Sequence, residues 1–233
     1  MQKIKQFIKT HPHMWWGLYM PVYLIMYFTV EHVVTDNYWA TQTAIDNYIP
    51  FCEYFVIPYN SWSILLFVLG VFFIVKDPES FRRWFIAIAY TTATLFCFLV
   101  PNGQDLRPAV LPRHNICTWI LQMTWAADNN ANVFPSVHVL GVVAAIAAMW
   151  HSPKLKRIWQ ILGTVWFAII AASTLLVKQH AFIDLAAGFA WGGVVYIIVY
   201  VIIGHKRDKR GLRCGADSPE READYDHSPN AGI

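Results

Sequence analysis

Six long apolar stretches constrain the fold of this chain more than any other feature of its sequence. They cover residues 14–34, 55–75, 83–100, 136–150, 158–177 and 182–203. A helix needs roughly 20 mostly apolar residues to cross a bilayer. Because no water reaches the hydrocarbon, a spanning segment must also satisfy its own backbone hydrogen bonds. The sequence therefore predicts an all-α fold, a bundle of six transmembrane helices.

The composition supports a membrane location. Hydrophobic residues make up 56% of the 233 residues and charged residues only 14%, which is too apolar for a soluble domain with an ordinary surface. The 11 tryptophans and 11 tyrosines fit the aromatic belts at membrane interfaces. The small net charge of +3 comes from basic residues in the N-terminal stretch and the tail, so it reports topology, and we expect no nucleic-acid partner.

Charge in the connections predicts the orientation. Lysines and arginines precede the first stretch, follow the sixth, and lie in every second connection between them, with Arg107 and Arg113 in the outer loop 101–135 as a mild exception. The positive-inside rule then places both termini in the cytoplasm. We expect a cytoplasmic segment 1–13, a membrane domain 14–204, and a charged, disordered cytoplasmic tail 205–233.

Small residues predict which helices pack closely. The fourth stretch is short and rich in alanine, which favours a helix packed among neighbours over one that faces lipid. In the sixth stretch, Gly188 and Gly192 have the small-xxx-small spacing that lets helix backbones approach each other.

Polar residues interrupt the apolar pattern at three places on the predicted outer side: 102–108, 135–138 and 178–184. Ionisable side chains at membrane depth are costly and usually face a protein interior or a watery cavity. His180 and Asp184 are four residues apart, which on a helix puts both on one face with the carboxylate in reach of the imidazole. The alternative is a helix-end histidine and lysine that extend to the lipid headgroups.

The three segments together carry the groups that phosphoryl transfer requires. His180, oriented by Asp184, is a candidate nucleophile on phosphorus. His138 can protonate the leaving alkoxide and then activate the attacking water or alcohol. These three are the predicted catalytic residues.

Three further residues are predicted to bind the phosphoryl group. Arg107 offers a planar set of donors suited to phosphate. Ser136 can cap the fourth helix or donate to an oxyanion, and Lys178 supplies a second cation. With these cations present, no metal and no cofactor is needed, although two histidines and an aspartate could also form a metal site.

These residues resemble the type 2 phosphatidic acid phosphatase superfamily, whose pattern is Lys-x6-Arg-Pro, Pro-Ser-Gly-His and Ser-Arg-x5-His-x3-Asp. Three blocks occur here in that order and match at Arg107-Pro108, at Pro135-Ser136 with His138, and at Ser173 with His180 and Asp184. The family's lysine, glycine and arginine positions hold Val100, Val137 and Thr174. The sequence resembles the branch with inositol-phosphoryl-ceramide and sphingomyelin-synthase-like enzymes, in which the His, His, Asp set persists and the flanking cations vary.

The resemblance implies a six-span, metal-independent lipid phosphatase that acts on a phospholipid or isoprenoid phosphate, with its site on the extracytoplasmic face. The alternative is a phosphotransferase that moves a phospho-headgroup, such as inositol phosphate, onto ceramide or diacylglycerol. A membrane transport or binding protein without catalysis is a third reading of the same buried charges. The sequence does not indicate an oligomeric state.

Two further features leave alternatives open. The polar run that contains Asp128, Asn129, Asn130 and Asn132 either forms a turn or contacts a substrate headgroup. The four cysteines show no metal or redox spacing; Cys52 and Cys117 could pair, but we expect free thiols.

Overall fold

The computed structural model describes residues 2–33, 38–87, 100–128 and 130–204, which are mostly helical. Short 3-10 helices cover Pro12–Leu18, Ala44–Tyr48 and Glu53–Phe55. The α-helices, numbered along the chain, are α1 (Gln2–Thr10), α2 (Tyr19–Val33), α3 (Val56–Lys76), α4 (Pro78–Ile86), α5 (Ile116–Ala127), α6 (Val137–His151), α7 (Arg157–Leu176) and α8 (Phe182–Tyr196).

The chain divides into two compact units, residues 1–196 and 197–233. The functional residues predicted from the sequence all belong to the first unit. The described part of the second unit begins with a π-helix, Ile197–Ile203.

Within the described ranges, three helices are long and apolar enough to cross a membrane: Glu53–Lys76, Arg157–Leu176 and Phe182–Ile203. Only 22%, 33% and 22% of their most apolar windows are buried inside the protein, so most of each apolar surface faces outward. Exposed apolar surface of this extent suits contact with lipid. The second, fifth and sixth predicted spans are therefore helices of membrane-spanning length.

The other three predicted spans differ in form. The first is a 3-10 segment, Pro12–Leu18, followed by the 15-residue helix α2. The fourth is α6, also 15 residues long. The predicted third span, 83–100, overlaps the end of α4, but its residues 88–99 lie outside the described residues, as does the predicted tail 205–233.

Helix α6 lies in the interior, as its alanine-rich sequence predicts. Nine of its 15 residues are buried, and it packs against α4, α7 and α8. A Cβ atom added at Gly188 would lie 2.9 Å from Cβ of Val139, and one at Gly192 would lie 2.9 Å from Cβ of Val143. Both distances are too short for real carbon atoms, so the glycines allow the close contact of α8 with α6 that the sequence predicts.

Helix α5 was not predicted from the sequence. Its 12 residues are too few for a span, yet it starts with a reciprocal cap in which Asn115 and Thr118 each accept a hydrogen bond from the other's backbone amide. Arg113, just before it, donates to the buried carboxylate of Glu53 over 2.9 Å. This ion pair connects the start of α5 to the start of α3.

A small set of backbone hydrogen bonds joins the connections at one end of the helices. Strands β1 (Trp39–Ala40) and β2 (Asn102–Gly103) pair in parallel, and Gly103 also forms an antiparallel bridge with Ala131. The fully buried Asn102 accepts a hydrogen bond from the amide of Phe134 over 2.7 Å. The segment that leads into α6 is therefore held next to the other two connections.

Candidate functional site

The two histidines of the predicted constellation are brought together. His138 lies in the first turn of α6, and His180 lies in the turn between α7 and α8. Nε2 of His180 is 3.5 Å from Nδ1 of His138. The His138 ring packs against the rings of Tyr59 and Trp62, with centroids 4.5 Å apart in both cases. The indole of Trp62 also donates to the His138 carbonyl over 3.1 Å, so the backbone and ring of His138 are held from the α3 side.

Asp184 faces the opposite nitrogen of His180. Its Oδ2 lies 3.7 Å from Nδ1 of His180, which is longer than a hydrogen bond. The same oxygen accepts from the Ala181 amide over 2.7 Å and from the Thr41 hydroxyl over 3.3 Å. The sequence placed His180 and Asp184 on one helix face; instead α8 begins at Phe182, and the Asp184 carboxylate folds back over the start of the helix.

Two polar atoms between this histidine and aspartate lack partners within the part of the chain that the structure describes. These are Nδ1 of His180 and Oδ1 of Asp184, both fully buried. A buried polar atom without a partner costs roughly 1–3 kcal/mol. A closure of a few tenths of an ångström would let Nδ1 of His180 donate to the carboxylate, which leaves Nε2 as the nitrogen that faces His138.

Ser136 caps α6. It is fully buried, and its hydroxyl oxygen accepts from the Val139 amide at 3.4 Å. Its own amide donates to the Asp184 carbonyl over 3.1 Å. Of the two roles considered for Ser136 from the sequence, the geometry is that of the helix cap, and it also connects the starts of α6 and α8.

Arg107 is bonded to the protein around the site. Its guanidinium donates to the carbonyls of Trp125 and Asp128 and, over 2.6 Å, to Oε1 of Gln179. It also lies over the Trp125 ring, 5.4 Å from the centroid. Because Gln179 directly precedes His180, Arg107 fixes the turn that carries the histidine to the end of α5.

Lys178 points away from the histidine pair. Its backbone is left-handed, with φ 58°, and its Nζ donates to the carbonyls of Ile49, over 2.6 Å, and Asp46, over 3.2 Å. Burial lowers the pKa of this ammonium group below the ordinary lysine value. The sequence predicted a cation at the phosphoryl group; the contacts are those of a residue that holds the connection before α3.

A cavity of about 490 Å³ opens beside the two histidines, a size typical of small-molecule sites. Its polar wall includes His138, His180, Gln179, Asp128 and Asn132. The rest of its lining is largely apolar and comes mainly from α2, α3 and α5: Leu24, Phe28, Trp62, Ile120 and Met123. The cavity is therefore amphiphilic, with the histidines among its polar groups. Arg107, Ser136, Lys178 and Asp184 do not line it.

Asp128 is a central acceptor of the polar wall. Its carboxylate accepts from the hydroxyls of Tyr27 and Tyr59, over 3.0 and 3.1 Å, and from Nε2 of Gln179 over 2.9 Å. The sequence flagged Asp128 only as part of a polar run, and it did not flag the tyrosines or Gln179. The available signal was the group of polar residues near the start of the second predicted span: Tyr59, Asn60, Ser61 and Ser63.

Among the described residues, no three His, Cys, Asp or Glu side chains converge as metal ligands would. Cys52 and Cys117 are both free thiols. Comparisons of the chain with protein-family models, with curated proteins and with solved structures give no match.

Proposed function

We propose that the chain is an integral membrane lipid phosphatase that hydrolyses a phosphomonoester or diphosphate lipid through a phospho-histidine intermediate. One observation carries the proposal: Nε2 of His180 lies 3.5 Å from His138 at an amphiphilic cavity, while its other nitrogen faces the buried carboxylate of Asp184. A nucleophile next to an acid–base group, with its ring oriented by a third group, is the general arrangement of covalent catalysis.

The geometry suggests different catalytic roles for the two histidines. Nε2 of His180 attacks phosphorus, and the bond from phosphorus to the lipid oxygen breaks. His138 gives its proton to that oxygen, then takes a proton from the incoming water, which displaces His180 and releases phosphate. Asp184 holds the Nδ1 proton of His180, which keeps the lone pair on Nε2 and stabilises the imidazolium part of the intermediate.

The amphiphilic cavity supports a lipid substrate. A phosphorylated lipid needs polar partners for its head and apolar surface for the start of its chains, and both kinds of wall border the same space. Arg107 acts in this proposal by fixing the Gln179–His180 turn. We extend the proposal to the type 2 phosphatidic acid phosphatase family and its six-span bundle, which rest on the order and spacing of the three sequence blocks.

A trapping experiment tests the mechanism. The purified protein is mixed briefly with a lipid phosphate labelled at phosphorus and quenched, and we expect an acid-labile, base-stable protein adduct. His180→Ala should abolish the adduct, while the matched control His151→Ala, at the other end of α6, should retain it. A chelator should not change the yield. An undiminished adduct in His180→Ala, or its loss with the chelator, would refute the phospho-histidine mechanism.

The acceptor defines the alternative function. A lipid alcohol in place of water would make the protein a phosphotransferase with the same first step. The products distinguish the two functions when a lipid phosphate and diacylglycerol are both present. Hydrolysis releases inorganic phosphate, whereas transfer yields one new phospholipid for each lipid phosphate consumed.

The orientation of the site is also a proposal: both termini in the cytoplasm and the histidines near the extracytoplasmic face. An introduced cysteine can report the side of the membrane at Val110, which is 79% exposed in the connection before α5. With the four native cysteines replaced, Val110→Cys should react with an impermeant reagent in intact cells. Lys154→Cys, in the connection between α6 and α7, should react only after permeabilisation, and the reverse pattern would invert the topology.

A further inference from the structure

Asn132 is a buried polar residue on the cavity wall whose side chain has no partner among the described residues. It is 4% exposed, and neither Oδ1 nor Nδ2 of its carboxamide forms a hydrogen bond there. Its backbone is fixed, because its amide donates to the Asn102 carbonyl over 2.7 Å and its φ is 60°. The fold therefore holds Asn132 in place while both of its side-chain groups remain available.

A second asparagine on the same wall shows the ordinary arrangement. Asn60 donates from Nδ2 to the Thr124 hydroxyl over 3.0 Å, and its Oδ1 lies 3.4 Å from the same hydroxyl oxygen. Buried polar groups are nearly always paired in this way. Since Asn132 borders the space beside His138 and His180, its unpaired donor and acceptor point to a ligand in that space.

The charge of the wall restricts what this ligand can be. Asp128 lies in the same cavity and is anionic when ionised, so a phosphate group placed against it would be repelled. A carboxylate has about four acceptor positions, and the three hydrogen bonds from Tyr27, Tyr59 and Gln179 leave room for one more donor. A carboxamide likewise offers an acceptor beside its donor. A phosphate dianion has no proton to give to either acceptor, whereas an alcohol hydroxyl has.

We propose that Asn132 and Asp128 form a binding subsite for an alcohol hydroxyl group next to the histidine pair. The hydroxyl belongs either to the molecule that carries the phosphate or to a separate alcohol that receives it. The reaction in which the hydroxyl takes part rests on the proposed function, whereas the binding of the hydroxyl does not. The subsite therefore favours one of two substrate classes: a phospholipid that carries its own hydroxyl, or a lipid phosphate together with an alcohol acceptor. A phosphomonoester without any hydroxyl would bind less well.

Binding to the His180→Ala protein tests the subsite without turnover. The full chain in detergent is titrated calorimetrically with glycerol 3-phosphate, which carries two hydroxyls, and with ethyl phosphate, which carries none. One or two added hydrogen bonds predict roughly tenfold tighter binding of glycerol 3-phosphate. Adding Asn132→Gly, which suits the positive φ, should remove this preference and leave ethyl phosphate binding unchanged.

Two further variants make the test specific. Asn60→Ala is the matched control: it removes a carboxamide from the same cavity, but one already paired within the protein, so the preference should persist. Asn132→Asp keeps the acceptor, removes the donor and tolerates the left-handed backbone; it should retain only part of the preference, and it replaces Asn132→Gly if that protein fails to fold.

The source of the hydroxyl is read from a third titration, of ethyl phosphate in the presence of free glycerol. Tighter binding of ethyl phosphate with glycerol supports a separate acceptor alcohol, and no effect of glycerol supports a hydroxyl on the phosphorylated molecule. Equal affinities for the two phosphates, no binding of either, or an equal loss of both in Asn132→Gly would overturn the subsite. A hydroxyl preference in a protein whose His180 traps no phosphate would instead refute the proposed function and keep the subsite.

Discussion

The two ends of helix α6 are built alike, yet their buried carboxylates differ in what they leave unpaired. At the start of the helix, Ser136 bonds to the backbone of Asp184. At its end, Ser152 donates its hydroxyl to the carboxylate of Asp77. Both aspartates are buried, and both lie at the beginning of a neighbouring helix, α8 and α4 respectively.

Asp77 uses both of its oxygens. Oδ1 accepts from the Ser80 amide, which caps α4, and Oδ2 accepts from the Ser152 hydroxyl. Asp184 concentrates its hydrogen bonds on Oδ2, leaves Oδ1 without a partner among the described residues, and faces His180. Burial of an acid at a helix start is therefore common to both ends, and the two ends differ in the unused acceptor of Asp184 beside an imidazole.

Exchange of each aspartate for asparagine should separate the two ends most strongly. Asp184→Asn keeps an oxygen for the Ala181 amide but loses the group that orients His180, so we expect lipid phosphate hydrolysis to fall by as much as about 10⁴-fold with the fold retained. Asp77→Asn should lower the free energy of unfolding by about 1 kcal/mol, as loss of a cap does, without an effect on kcat. Hydrolysis rates and thermal unfolding of both proteins measure this. Similar losses of hydrolysis rate in the Asp184→Asn and Asp77→Asn proteins would contradict a functional difference between the two ends of α6.

The second largest effect on hydrolysis is expected at His138, in the first turn of α6. His138→Ala should slow hydrolysis of an alkyl phosphate roughly 10²- to 10³-fold, because the leaving alkoxide needs a proton. A nitrophenyl phosphate, with its good leaving group, should lose much less. The ratio of the two rate losses is the measurement. If both substrates lose equally, His138 does not act as the general acid.

Gly188 and Gly192 of α8 contact α6 at two different distances from the candidate site, so alanine substitutions there can be compared. In Gly188→Ala the new Cβ would meet Val139 at 2.9 Å and the Ser136 carbonyl at 3.0 Å, whereas in Gly192→Ala its three nearest atoms all belong to the Val143 side chain. Both should destabilise the protein by about 1–3 kcal/mol through overpacking. Only Gly188→Ala displaces the helix start beside the site, so we expect roughly tenfold lower kcat there, since small misplacements slow catalysis. Equal kcat values in the two variants would contradict this.

The smallest effect on catalysis is expected at Lys178. Its ammonium bonds to the Asp46 and Ile49 carbonyls, and the Ile49 amide also donates to the Asp46 carbonyl. Lys178→Met should therefore leave the Ile49 carbonyl without this donor and lower the free energy of unfolding by roughly 1–3 kcal/mol. The vanadate inhibition constant should stay unchanged, because the cation lies away from the cavity. Lys154→Met, at an exposed lysine, is the control for loss of charge alone. A raised inhibition constant would return Lys178 to the phosphate-binding role that the sequence suggested.

Sequence patterns predicted the elements whose cause is local. Hydropathy over 20 residues defined α3, α7 and the helix that begins at Phe182, because lipid exposure demands continuous apolar surface. Alanine and glycine predicted the buried position of α6. Helix α5 was not predicted because a 12-residue helix is too short to give a transmembrane signal, and its start depends on the Asn115 cap.

For the candidate site, the sequence predicted which histidines come together better than it predicted the contacts around them. His138 and His180 were predicted to act together and lie 3.5 Å apart. The direction of Lys178 depends on its left-handed backbone and on carbonyls more than 100 residues away in the chain, which no local pattern encodes. The unpaired carboxamide of Asn132 is a tertiary property as well, since only the folded chain shows that it lacks a partner among the described residues.

The packing of Trp62 on His138 gives the site a built-in optical reporter. An indole in contact with an imidazole loses fluorescence when the imidazole is protonated, and the hydrogen bond from Trp62 to the His138 carbonyl keeps the two rings in register. The emission that Trp62→Phe removes would therefore follow the charge on His138. In a stopped-flow instrument, a single turnover would then appear as a rise in fluorescence when His138 gives up its proton, followed by a fall when it takes a proton from water.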